Sequence, residues 1–116
     1  MNRNNLNSSE SGRVGGLAGL EGKPLELSLI EGMSQIPEVE SVYKYQEGEH
    51  TTFFTILSTS EYQRDVRMKV YEVEYVTGRR FPEANVGFEC MYRMEMSDDE
   101  FLPAGVIRVY KRKSVS

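Results

Sequence analysis

From Pro24 onward the apolar residues fall at Leu25, Leu29, Met33 and Ile36, spacings of four, four and three that line one face of a helix. Leu27 and Ile30 widen that face. Pro24 suits the first turn, where its missing N–H costs nothing. Pro37 ends the helix, because the residue before a proline is pushed out of the α region. Gly32 lies inside the helix and weakens it by up to about 1 kcal/mol relative to Ala.

The period then changes to two. In Val39 to Gln46, Ser41, Tyr43 and Tyr45 share one face, and Val42 and Lys44 share the other. Glu47-Gly48-Glu49-His50 supplies a turn, with Gly available for a positive φ. Thr51 to Leu57 is dense in β-branched and aromatic residues and reads as the returning strand of a hairpin. It is apolar on both faces, with Phe53 and Leu57 on one and Phe54 and Ile56 on the other, as a central strand would be.

Ser58-Thr59-Ser60-Glu61 fits a capping box, in which a hydroxyl and a Glu three residues on satisfy each other's backbone donors. The helix it predicts runs from about Ser60 to Thr77, with Tyr62, Val66, Val70, Val73 and Val76 facing the sheet. Arg64, Asp65, Arg67, Lys69, Glu72 and Glu74 would cover the solvated surface. Gly78 is placed to end the helix, and Arg79 and Arg80 favour its negative end. Val86 to Met94 alternates again, with Val86, Phe88, Cys90, Tyr92 and Met94 on the buried side. Ser97-Asp98-Asp99-Glu100 offers a second capping box for one turn closed by Pro103, and Val106 to Arg112 is a last strand.

The order predicts an α+β fold, an α-β-β-α-β(-β) two-layer sandwich. Its sheet is mostly antiparallel, with three or four strands and two helices on one face. Residues 1–21 are rich in Asn, Ser and Gly and bury too little apolar surface to offset chain entropy. They are expected to form a disordered N-terminal tail, with residues 22–116 as a single domain. Gly16, Gly19 and Gly22 recur every third residue. A phosphate-binding loop would follow a strand, and none precedes them, so a flexible linker is the better reading.

The 116 residues are 39% apolar and 28% charged, enough for one modest core. The net charge of −4 hides an asymmetry. Arg108-Val109-Tyr110-Lys111-Arg112-Lys113 holds four cations, which leaves −8 on the rest of the chain. An acidic body repels nucleic acid and anionic membranes. The single Cys90 rules out an internal disulfide and suits a reducing compartment. The N-terminus lacks a signal-like apolar run, and no stretch approaches a membrane span. The expected location is cytoplasmic.

Candidate chemistry is sparse. His50 is alone in a turn beside Glu47 and Glu49, short of the three or four ligands zinc requires. As a general base it has no nucleophile in any recognisable pattern. Cys90 sits on a core-facing position, where a thiol behaves as a small hydrophobe. Asp98-Asp99-Glu100 are consecutive, so they cannot all point at one cation, and acids in a first helical turn are expected from the helix dipole. No nucleophile elbow, phosphate loop, H-E-x-x-H or C-x-x-C occurs. The expectation is no catalytic residue, no metal and no cofactor.

Seven tyrosines and no tryptophan leave the tyrosine-bearing hairpin as the feature to probe. Tyr43 and Tyr45, with Arg108 and Lys111 of the basic strand, are the candidate interface residues. The alternative is that the two rings cover a core edge. A protein partner or a second copy of the chain is the expected occupant. Nucleic acid, stacked on Tyr110, is the weaker possibility.

The order of elements, with a strand after Phe81-Pro82, resembles the cytoplasmic domain of cation diffusion facilitators. It also resembles a minimal nucleotidyltransferase core. The first resemblance implies metal-binding histidines, which this chain lacks at comparable places. The second implies Gly-Ser after the first strand and an Asp-x-Asp pair on the second. Here Glu47-Gly48-Glu49 and Thr55-Ile56-Leu57 stand in those places, so the magnesium clamp is missing. The reading is therefore a non-enzymatic interaction or regulatory module, with a small or degenerate enzyme as the alternative.

Overall fold

The computed structural model describes residues 22–59 and 61–113. The expectation of disorder over residues 1–21 lies outside the described residues. The elements are α1 (Gly22–Ser34), β1 (Val39–Glu47), β2 (His50–Leu57), α2 (Arg64–Arg80), β3 (Val86–Tyr92), α3 (Asp98–Phe101) and β4 (Ile107–Lys111). The four strands form one sheet in the order β3-β2-β1-β4. The fold is α+β.

β1 pairs antiparallel with β2 across the Glu47–His50 turn, where Gly48 takes a φ of 63°. β4 returns antiparallel on the other side of β1. β3 pairs parallel with β2, from Thr51 opposite Val86 to Leu57 opposite Tyr92. The parallel pair follows from the connection: α2 carries the chain back along the sheet before β3 begins, as a βαβ crossover must. The sheet is therefore mixed, with β1 and β2 at its centre.

The main core lies between the sheet and the two long helices. Leu25, Leu29, Met33 and Ile36 of the α1 side meet Val39, Val42, Phe53 and Leu57 of the sheet and Val66 and Val70 of α2. Each fully buried aliphatic side chain here contributes about 1.5–3 kcal/mol. Leu27, expected to widen the α1 face, is exposed instead. It lies on the far side of the helix from the Leu25–Leu29 row.

α2 departs from its expected bounds. It starts at Arg64, with Gln63 at the N-cap and no side-chain capping bond. The capping box does not form around Ser58, because Ser58 extends the hairpin: its N–H and hydroxyl both donate to the Glu38 carbonyl, at 2.9 and 3.3 Å. The buried stripe is Val66, Val70 and Thr77 with Val73 beside them, and Tyr62 and Val76 are exposed. Gly78 does not end the helix, which runs to Arg80, where the Phe81 N–H still reaches the Thr77 carbonyl at 3.2 Å.

β3 ends at Tyr92, two residues early. Met94 and Glu95 both take positive φ, at 51° and 66°, and turn the chain off the sheet. The following segment crosses the second face. There Tyr43, Phe54, Ile56 and Leu102 form a smaller apolar cluster, with Tyr45, Met91, Phe101 and Val106 against it.

Candidate functional site

Two bulges in β1's pairings decide which side chains reach the second face. Val39 pairs with Leu57 and Ser41 with Ile56, so Glu40 is an extra residue. Val39 then faces the main core while Ser41 and Tyr43 face away from it. On the other side, Val42 pairs with Tyr110 and Tyr43 with Arg108, which leaves Val109 extra. Residues three apart on a regular strand face opposite ways; the bulge returns Arg108 and Lys111 to the same face.

The result is a polar cavity of about 410 Å³ whose lining includes Ser41, Tyr43, Arg93, Asp98, Arg108 and Lys111. Three of the four candidate interface residues, Tyr43, Arg108 and Lys111, meet there. Tyr45 is half-buried beside the smaller apolar cluster. Tyr43 is only 5% exposed, so its ring covers a core edge rather than presenting a free phenol.

Arg93 ties this face together. Its Nε donates to Glu40 at 2.9 Å, its Nη1 to the Met96 carbonyl at 2.7 Å and its Nη2 to Asp98 at 2.5 Å. Its guanidinium also stands over the Phe101 ring, 5.6 Å from the centroid. The Tyr43 hydroxyl donates to the other Asp98 oxygen. Burial resists ionisation of Asp98, but the bonds from Tyr43 and Arg93 outweigh it and hold the carboxyl below its ordinary value. Burial, and then the Asp98 bond, push the Tyr43 phenol up. Asp98 is thus a fastening for its segment. Ser97, expected to cap α3, makes no capping bond and donates to Asp99 and Glu100 side chains at 2.7 and 2.9 Å.

The basic strand divides its cations. Arg112 turns inward and donates to the carbonyls of Val39, Ser34 and Ile36 at 2.9, 3.1 and 2.7 Å. It closes the end of α1 and contributes nothing to a surface patch. His50 makes one bond to Asn85, its Nδ1–H donating to Oδ1 at 2.8 Å. Among the described residues, no group of three or more His, Cys, Asp and Glu is placed to hold a metal ion. No helix among them is long and apolar enough to cross a membrane.

A second surface lies on α2, where the sequence suggested only a solvated face. Met68, Tyr71 and Tyr75 are 55, 62 and 51% exposed, on the side of the helix away from Val66 and Val70. Their spacings of three and four make a continuous stripe. Tyr71 and Tyr75 stack with centroids 6.3 Å apart. Arg79 donates to the Tyr75 hydroxyl at 2.9 Å and lies 5.7 Å from its ring centroid. Arg64 begins the same row. The signal was present as a second helical period, masked by the stronger valine period.

Beside the stripe, α2 and β3 enclose a cavity of about 460 Å³ lined by Arg67, Met68, Tyr71, Glu74, Phe88 and Cys90, among others. Glu74 Oε2 is buried without a partner among the described residues. Burial pushes its carboxyl up to about 7 against the pull of Arg67, and burial pushes the Cys90 thiol up to about 11.

No protein-family model, no curated protein and no solved structure matches this chain.

Proposed function

We propose that this chain is a non-catalytic interaction module that docks an acidic, partly apolar segment of a partner protein along the outer face of α2. The observation that carries this reading is the row Arg64, Met68, Tyr71, Tyr75 and Arg79. Tyrosine, methionine and arginine are the types enriched where proteins meet, and large exposed side chains in a contiguous row mark such contacts. An arginine at each end of an apolar row complements carboxylates spaced about four helical turns apart, roughly 22 Å.

The charge pattern also chooses the occupant. A second copy packed antiparallel with Met68 on Tyr75 sets Arg64 against Arg79, two like charges. The candidate sites Tyr43 and Tyr45 are covered or half-covered and give less free aromatic surface. The cytoplasm is the fitting location, since Cys90 is a lone, high-pKa thiol in a fold without disulfides.

Selection of displayed random peptides on the folded chain tests this. Recovered binders should interleave Asp or Glu with aromatic or aliphatic residues. They should bind the Tyr71→Ser, Tyr75→Ser double variant about tenfold or more weakly. Binders without that pattern, or with undiminished affinity for the variant, would overturn the proposal. So would a concentration-dependent dimer that the double variant abolishes, which would give the face to a second copy.

A further inference from the structure

The cavity on the second face holds a group that the fold's own bonds leave unexplained. Ser41 is 2% exposed, it lines the cavity, and its Oγ has no hydrogen-bond partner among the described residues. A buried hydroxyl without a partner costs about 1–3 kcal/mol, so its place in a polar cavity points to a ligand atom that completes it. Directly across the β1–β4 ladder stand Lys111, opposite Ser41, and Arg108, opposite Tyr43. Neither cation is in an ion pair among the described residues.

We infer that Ser41, Arg108 and Lys111 form a binding site for a carboxylate group on the sheet face opposite α1 and α2. The hydroxyl and the two cations supply donors converging from adjacent strands, and an oxyanion takes several such bonds at once. The remaining lining groups are already matched: Arg93 is consumed by Glu40, Asp98 and the Met96 carbonyl, and Asp98 by Arg93 and Tyr43. The charge of the whole cavity sets the ligand's charge. Arg93, Arg108 and Lys111 outnumber Glu40 and Asp98 by one, so a single carboxylate leaves the cavity neutral, whereas a phosphate dianion leaves it negative.

The bulge at Val109 supports the same conclusion. It is what brings Arg108 and Lys111, three residues apart, to one face, and bulges recur where a strand re-aims side chains toward a site. Arg112 keeps its structural role on the other side and is not part of the site.

Backbone-amide NMR titrations at fixed ionic strength test the site, with sodium acetate, a terminally blocked glutamate and inorganic phosphate as separate probes. Acetate should give saturable shifts at Ser41, Arg108 and Lys111. Binding should weaken about tenfold in Ser41→Ala and more in Arg108→Met, with the spectra of both variants otherwise folded. Equal affinities for acetate and blocked glutamate support a small organic acid as the ligand. A clear preference for blocked glutamate supports an acidic side chain of a peptide. Shifts that fail to saturate, or that persist in both variants, overturn the site. Phosphate binding more tightly than acetate overturns its assignment to a carboxylate. Ser41→Ala that only stabilises the fold, with acetate binding unchanged, reduces the unpartnered hydroxyl to a packing defect and likewise overturns it.

Discussion

The side chain of Val73 on α2 fills the space that a β-carbon at position 32 of α1 would need. A β-carbon built on Gly32 lies 2.6 Å from Val73 Cγ1. Valine has one stiff rotamer in a helix, so it cannot swing aside. Gly32→Ala is therefore expected to destabilise the chain by about 1–3 kcal/mol, although alanine is the better helix former. Urea unfolding checks this, and Gly32→Ala combined with Val73→Ala should recover part of the loss. A more stable Gly32→Ala variant would show that α1 and α2 can separate freely.

Glu74 should make stability depend on pH in a direction opposite to most carboxylates. Its folded pKa of about 7 lies above its ordinary value of 4.5. Between those values the folded state holds a proton that the unfolded chain releases. Stability therefore falls as pH rises through that window and stays low above it. Glu74→Gln should raise stability at pH 8 by on the order of 1–2 kcal/mol, discounted for partial exposure, with the gain fading toward pH 4.5. Paired unfolding curves at pH 5 and pH 8 decide it. An equal gain at both would place the effect outside ionisation.

Arg112 satisfies three carbonyls where α1 ends and β1 begins. Arg112→Met should cost about 2 kcal/mol, the usual scale for bonds from a charged donor. Arg112→Lys should recover little, because an ammonium cannot fork to three separate acceptors. Equilibrium unfolding that separates neither variant from the parent would show that water replaces these bonds without loss.

Cys90 should react slowly. A thiol raised to about 11 by burial is scarcely ionised at pH 8. Alkylation by iodoacetamide should run roughly two orders of magnitude below that of a free cysteine. A rate near the free value would mean that the cavity between α2 and β3 opens readily.

The elements themselves were legible because each carries a clear period. Leu25, Leu29 and Met33 specify α1 without help from the rest of the chain, and the two-sided apolar pattern of Phe53 to Leu57 gives β2 its central place. What escaped was set by tertiary competition. Ser58 and Glu61 have the spacing of a cap, yet the Glu38 carbonyl takes the Ser58 donors and delays α2 to Arg64. The spacing of Arg108 and Lys111 implies opposite faces, and only the unequal pairing with β1 reverses that. Tyr43 was legible as a sheet residue whose ring either meets a partner or covers a core edge, and its own strand does not decide between the two. Its cover comes from Leu102 and Asp98, more than fifty residues away along the chain.

The bulge at Val109 also makes the borders of the sheet unequal. β4 is five residues long, irregular in register and marked by Arg108 and Lys111. β3 is seven residues long, runs in unbroken register with β2, and carries Glu89 as its one charge. A chain in search of backbone partners meets a poor template at β4 and a good one at β3. Misassembly under crowding, and strand addition by any foreign segment, are therefore directed to the border beside α2 and away from the one beside the polar cavity.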